Sequence, residues 1–243
     1  MEEMQIVYQE QHQSFESVSY IVFDIETTGL NVTKDELIQI SAVKIEKGEK
    51  IDSFNEYIAP LQPLSDFIKE ITNITDEDIM NAKSLPEVLQ NFLDFIQDSV
   101  LIAHNIMFEM KFLQANLEKY HFPPLKNTYI DSLELARRIY PDRKKYGLVA
   151  LIKDFLNSED YSGQGCLADV NALCELFPIM LRETLTKYNV KEIGQLNDLP
   201  VKIYLYKRDN LRAFCLMVLV HIIQYQYLYG VNNIFSLEGN ILL

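Results

Sequence analysis

Three runs near the start of the chain carry apolar residues at strand spacing: Tyr20–Ile25, Leu37–Ile45 and Ile51–Ile58. Lys47 and Gly48 fall between the second and third and predict a tight turn. The three read as an antiparallel meander, with the most apolar run, Tyr20–Ile25, at the centre of the sheet. After "APLQPLSDF" the spacing lengthens to that of helices. Pro86, Val88, Leu89, Phe92, Leu93 and Ile96 outline an amphipathic helix with proline in its first turn. Ser99–His104 reads as a short buried strand, followed by a helix from near Asn105. "TYIDSLELARRIY" predicts a strand running into a helix that Pro141 ends. Further helices are predicted over Leu148–Leu156 and Leu167–Leu181. Strands that meander first and then alternate with helices imply an α/β domain with a mixed sheet.

The central run ends against this pattern. Asp24 and Glu26 stand two residues apart, on one face of a strand. Two carboxylates there repel each other and resist desolvation, so a positive charge is expected between them. Hard oxygen ligands of this kind suit Mg²⁺ or Mn²⁺. Composition narrows the source of that charge. The chain has 243 residues, 22 basic and 35 acidic, for a formal charge of −13. Nucleic acid held by bulk electrostatics calls for a basic protein, so phosphate contact here must be local or carried by metal. The best local basic cluster is "ARRIYPDRKKYG", where Arg137, Arg138, Arg143, Lys144 and Lys145 interleave with Tyr140 and Tyr146. A solvated helix end explains that cluster equally well.

Cys166, Cys174 and Cys215 are scattered and odd in number, which speaks against a disulfide framework or a structural zinc site and for a reducing, cytoplasmic setting. Cys166 and Cys174 read as packing residues. The acidic start "MEEMQIVYQEQHQSFESV" is not a signal peptide. The longest apolar block, Ala213–Ile223, is too short to span a bilayer. Residues 190–243 carry five basic and four acidic groups, a charge of +1 that leaves −14 for residues 1–189. The division expected is an N-terminal extension over 1–18, a domain over 19–189, and a C-terminal, largely helical appendage over 190–243. The apolar stretch within 200–243 would pack within the chain, against a second copy, or against a protein partner.

Four ordered segments, "FDIETTGL", "IAHNIMFEMKFL", "IDSLELARRIYP" and "LADVNAL", resemble the DnaQ-like DEDDh exonucleases over about residues 19–182. The likeness is marked for the proofreading domain of PolC-type polymerases and the exonuclease domain of DinG-type helicases. The resemblance implies a ribonuclease H-like mixed sheet flanked by helices. It also implies two Mg²⁺ or Mn²⁺ ions held by Asp24, Glu26, Glu109 and Asp169, and 3′-to-5′ hydrolysis of nucleic acid, single-stranded DNA before RNA. Thr27, Thr28, Leu30, His104, Asn105 and Phe108 match the positions that hold the terminal nucleotide. Asn105 also suits a helix N-cap, Thr27 and Thr28 suit turn chemistry, with Gly29 supplying an unusual backbone angle, and Phe108 suits core packing.

Two positions depart from the family. Glu109 stands where it has Asp, and Gln164 stands where its catalytic His lies, five residues before Asp169. Glutamine takes no proton at neutral pH but can orient a water. The tyrosine-based variant wants Tyr four residues before Asp169, where Gly165 stands; Tyr161, eight before, contributes only if its loop folds back. Three readings follow: a slowed metal-dependent exonuclease, an enzyme whose base lies at another position, or an inactive copy that binds metal and nucleic-acid ends or serves as an assembly subunit.

Overall fold

The computed structural model describes residues 18–163, 165–191, 195, 196 and 199. The chain divides into two units, 1–201 and 202–243, and the account below concerns the first. The apolar appendage predicted over 200–243 and the extension before Val18 lie outside the described residues.

Five strands form one sheet in the order β3-β2-β1-β4-β5: β1 (Tyr20–Thr27), β2 (Leu37–Glu46), β3 (Glu49–Tyr57), β4 (Val100–Ala103) and β5 (Tyr129–Asp131). The most apolar strand is central, as its composition requires. β1–β2 and β2–β3 are antiparallel, whereas β1–β4 and β4–β5 are parallel. Lys47 and Gly48 make the predicted turn, both with positive φ (52° and 82°).

Alternation along β1 feeds two cores. Ile21, Phe23 and Ile25 face α3 (Leu85–Ile96) and α4 (Ile106–Lys119), where Phe92 meets Phe23 and Phe54 at centroid separations of 5.8 and 5.6 Å. Tyr20 and Val22 face α5 (Ser132–Ile139), α6 (Leu148–Leu156) and α7 (Cys166–Tyr188). Asp24 and Glu26 continue the second series, so they emerge on the α7 face just where the apolar core ends.

Three elements differ from the expectation. α1 (Asp66–Thr72) and α2 (Asp76–Met80) occupy a stretch given no helix from the sequence. Ser65 caps the first by accepting from the Ile68 N–H, and Thr75 with Asp78 forms a capping box on the second. Both helices are short and leave Phe67, Ile71 and Met80 exposed, so no buried stripe announces them. α7 runs seven residues beyond Leu181, straight through Pro178, because Met180 and Thr184 stay buried beyond it. Val190, Leu196 and Leu199 join the same core.

Phe92 is 1% exposed at the centre of its aromatic group. Phe92→Ala should cost about 3–5 kcal/mol, read as a lower urea midpoint at unchanged slope; a loss under about 1 kcal/mol would contradict this placement.

Candidate active site

The acidic positions converge from three elements. Asp24 and Glu26 leave the central strand on one face. Asp169 lies in the first turn of α7, which packs on that face. β4 runs parallel to β1, with Val22 opposite Ile102. The strand ends one residue later, so α4 begins beside Asp24 and brings Glu109 in its first turn. A cleft of about 170 Å³ lies along this line, walled by Phe23, Asp24, His104, Leu148, Asp169 and Val170.

The electrostatics show how closely these groups interact. Burial and then the Asp169 charge push Asp24 up to about 7, against help from the Ile25 N–H and the Cys166 thiol. Burial, Asp24 and Asp169 push Glu26 to about 8. Burial and the Asp24 charge push Glu109 to about 9. Burial also raises Asp169, opposed by a hydrogen bond from Tyr161. Glu109 is 3% exposed, and its Oε2 has no hydrogen-bond partner. A buried oxygen of that kind needs a cation or water to satisfy it. Clustered carboxylates suit hard divalent cations, and Glu109, in the family's aspartate position, lies near enough to Asp24 to feel its charge.

Gln164 lies outside the described residues, but its neighbours are placed. The loop does fold back. Tyr161 donates its hydroxyl to Asp169 Oδ1, a contact to which sequence spacing gave little weight. Gly163 makes this possible: its φ is +71°, and a Cβ there would lie 2.9 Å from Val149. Cys166, expected to be a packing residue, is buried and also lies beside the acids, with its Sγ and carboxylate oxygens of Asp24 and Glu26 all within 4.8 Å of one another. Ser41 and Gln39 pair with Asp24 and Glu26 across the β1–β2 ladder, and both donate to Asn55 Oδ1 at 2.8 Å. That polar strip was missed, although Gln39 and Ser41 interrupt an otherwise apolar strand.

The remaining predicted positions surround this centre. Thr27 Oγ1 donates to the Gly29 carbonyl at 2.6 Å, and Thr28 Oγ1 accepts from the Glu36 N–H at 2.9 Å. Gly29 does not carry the unusual backbone angle expected of it. It is needed for close approach, since a Cβ would meet the Asp35 carboxylate at 2.5 Å. Leu30 is 83% exposed at the turn tip. His104 is held at both nitrogens: Nε2 donates to the Tyr146 carbonyl and Nδ1 accepts from Ser132, each at 2.9 Å. Burial lowers its pKa, which suits this neutral tautomer. Asn105 stands at the N-cap position of α4, but with left-handed backbone and no capping bond from its side chain, which remains exposed. Phe108 is half-buried against Phe112, with ring centroids 5.1 Å apart. In the basic cluster, Arg138 pairs with Glu134, and Arg143 pairs with Asp154 over the Phe155 ring. Tyr140 packs on Phe155 at 4.6 Å. Arg137, Lys144 and Lys145 are its exposed cations.

The model for the exonuclease family (RNase_T) matches residues 21–177, well over half of the chain. This chain belongs to the DnaQ-like exonuclease family. The PolC-type DNA polymerase III of Streptococcus mutans is 39% identical over 214 residues, which is 88% of this chain and 14% of that protein. The chain thus spans about a seventh of the length of the curated relatives it matches. A 3′-exonuclease solved recognising the histone mRNA stem-loop superposes with a TM-score of 0.61 at 21% identity, over 70% of this chain and 65% of that one. Escherichia coli exonuclease I with a dA16 oligonucleotide gives 0.59 at 16% identity, over 74% and 42%. These two share the fold of this exonuclease domain. No helix among the described residues is long and apolar enough to cross a membrane.

The raised acids make a pH prediction. Each folded pKa lies above its unfolded value, so each acid stabilises the fold while protonated. That contribution is lost as pH rises from the unfolded values of about 4 through the folded values of about 7, 8 and 9. In EDTA the Tm should fall by several °C between about pH 5 and 9, and Mn²⁺ should restore it at the alkaline end. A Tm that is flat or rising across this window in EDTA would contradict the clustering of these acids.

Proposed function

We propose that the domain, drawn at residues 19–189, is a divalent-metal-dependent 3′-to-5′ exonuclease acting on nucleic-acid 3′ ends, DNA before RNA. The observation that supports this reading is the meeting of Asp24 and Asp169 at one cleft, with Glu26 and Glu109, whose Oε2 is orphaned, near enough to Asp24 to feel its charge. The DNA preference is supported by the polymerase relatives, although the structural neighbours include one solved with RNA and one with DNA.

In this reading Asp24, Glu26, Glu109 and Asp169 hold two Mg²⁺ or Mn²⁺ ions. Bound there, the ions supply positive charge for the attacking and leaving oxygens of an in-line phosphoryl displacement. The protein's own work is positioning. Tyr161 fixes the Asp169 carboxylate through its hydrogen bond. Gln164, flanked by two glycines of positive φ, orients the attacking water. Leu30 presents an apolar edge to the terminal base, with Thr27, Thr28, Asn105 and Phe108 around the nucleotide. His104 acts by holding the end of β4 to the loop before α6. No histidine lies between 122 and 220, so none stands at the family's position for taking the water's proton. General base catalysis contributes about 10²–10⁴-fold, which sets the scale of the slowing.

Gln164 itself favours a second reading, an inactive module that binds 3′ ends or assembles with other proteins. On sequence grounds, residues 200–243 would supply the contact to a second copy or another protein, and the cysteine usage fits a cytoplasmic setting.

Labelled single-stranded DNA and RNA with Mg²⁺ or Mn²⁺ separate the two. Wild type should digest DNA slowly from the 3′ end, Asp24→Asn should lose at least about a hundredfold, and Gln164→His should gain about a hundredfold. Digestion by Gln164→His alone would favour the inactive module. No digestion by either would contradict the exonuclease reading.

A further inference from the structure

Cys166 opens α7 at 1% exposure, with its sulfur among the carboxylate oxygens of Asp24 and Glu26 and no pair of the three ligand atoms more than 4.8 Å apart. The thiol donates toward Asp24. Sulfur is a poor ligand for Mg²⁺ and a good one for Zn²⁺ or Cd²⁺, so its place here has a chemical consequence beyond filling space. An independent sign that this corner is built around a cation comes from Glu109, nine-tenths buried and interacting with Asp24, whose Oε2 has no partner.

We propose that Cys166 converts the acidic centre into a mixed oxygen–sulfur site, at which Asp24, Glu26 and Cys166 capture a thiophilic divalent cation, Zn²⁺ or Cd²⁺, in competition with the hard ions. The inference rests on the carboxylate cation site of the proposed function. Tetrahedral Zn²⁺ takes oxygen at about 2.0–2.2 Å and sulfur at about 2.3 Å, which sets ligand separations near 3.5 Å. Closing from the 4.8 Å spread takes adjustments of about 1 Å. On binding, the S–H bond breaks and a sulfur–metal bond forms. The proton passes to solvent, and nothing is oxidised or reduced. An ion held this way occupies the oxygens that Mg²⁺ or Mn²⁺ require, so thiophilic metal switches off the chemistry of the site.

The test is Cd²⁺ titration of the full chain, following the ultraviolet thiolate-to-metal absorption, with Mn²⁺ binding of the same wild-type preparation followed by paramagnetic resonance. Wild type should show saturable absorption at one equivalent. Cys166→Ala and Cys166→Ser should abolish it, whereas Cys174→Ala and Cys215→Ala should retain it. Asp24→Asn should weaken Cd²⁺ binding by at least about tenfold. The cadmium NMR shift of the wild-type complex should report sulfur alongside oxygen, a readout that depends on no variant. Wild type that binds Mn²⁺ but shows no thiolate absorption, absorption that survives in Cys166→Ser, or an oxygen-only cadmium shift would overturn the inference and leave the cation site standing. Wild type that binds neither ion would overturn both.

Discussion

The desolvation of clustered carboxylates, Glu109 buried and the other three half-buried, is the constraint on which the rest of this structure depends. Asp24, Glu26, Glu109 and Asp169 come from a strand and two helices, and each is pushed toward its neutral form by burial and, for the first three, by neighbouring acids. A fold that sought only stability would place such groups in water or beside basic partners. Among the described residues, the hydrogen-bond donors to Asp169 and Asp24 are neutral: the Tyr161 hydroxyl, the Cys166 thiol and a backbone N–H. Oxygen donors gathered in this way suit hard divalent cations.

The architecture supplies what that arrangement needs. The last four residues of the apolar central strand pair with β2, beyond the end of the parallel β1–β4 ladder at Val22, and that ladder brings the start of α4 beside Asp24. On the opposite wall, α7 starts from a loop whose glycines permit a tight return. That loop holds one of the two departures from the family's pattern, Glu109 in α4 being the other. The position of the usual imidazole holds Gln164, while Tyr161 reaches Asp169 from farther back in sequence. The orientation of the Asp169 carboxylate is thereby fixed by a tyrosine hydroxyl.

Much of this was legible in the sequence, for definable reasons. β1 and β2 announce themselves as apolar runs buried on both faces, and α3 through α6 by the helical spacing of their apolar residues. The four acids are legible because Asp24 and Glu26 contradict the apolar run that carries them, and because the surrounding segments follow a family order. α1 and α2 were not legible, since five to seven residues capped by Ser65 and Thr75 leave large apolar side chains in solvent. The full length of α7 was hidden by Pro178, whose local penalty is outweighed by burial of Met180 and Thr184. Tyr161 on Asp169, Cys166 beside Asp24, and the Ser41–Asn55 bond depend on a loop path and a strand register, which spacing alone does not encode.

The central claim is that the acids from β1, α4 and α7 form one cation-binding centre. Anomalous scattering from crystals soaked in Mn²⁺ tests it most directly. The account predicts density between the carboxylates of Asp24, Glu26 and Asp169, with Glu109 turned toward it. Crystals in which Mn²⁺ scatters elsewhere, or in which these oxygens point apart into solvent, would contradict it.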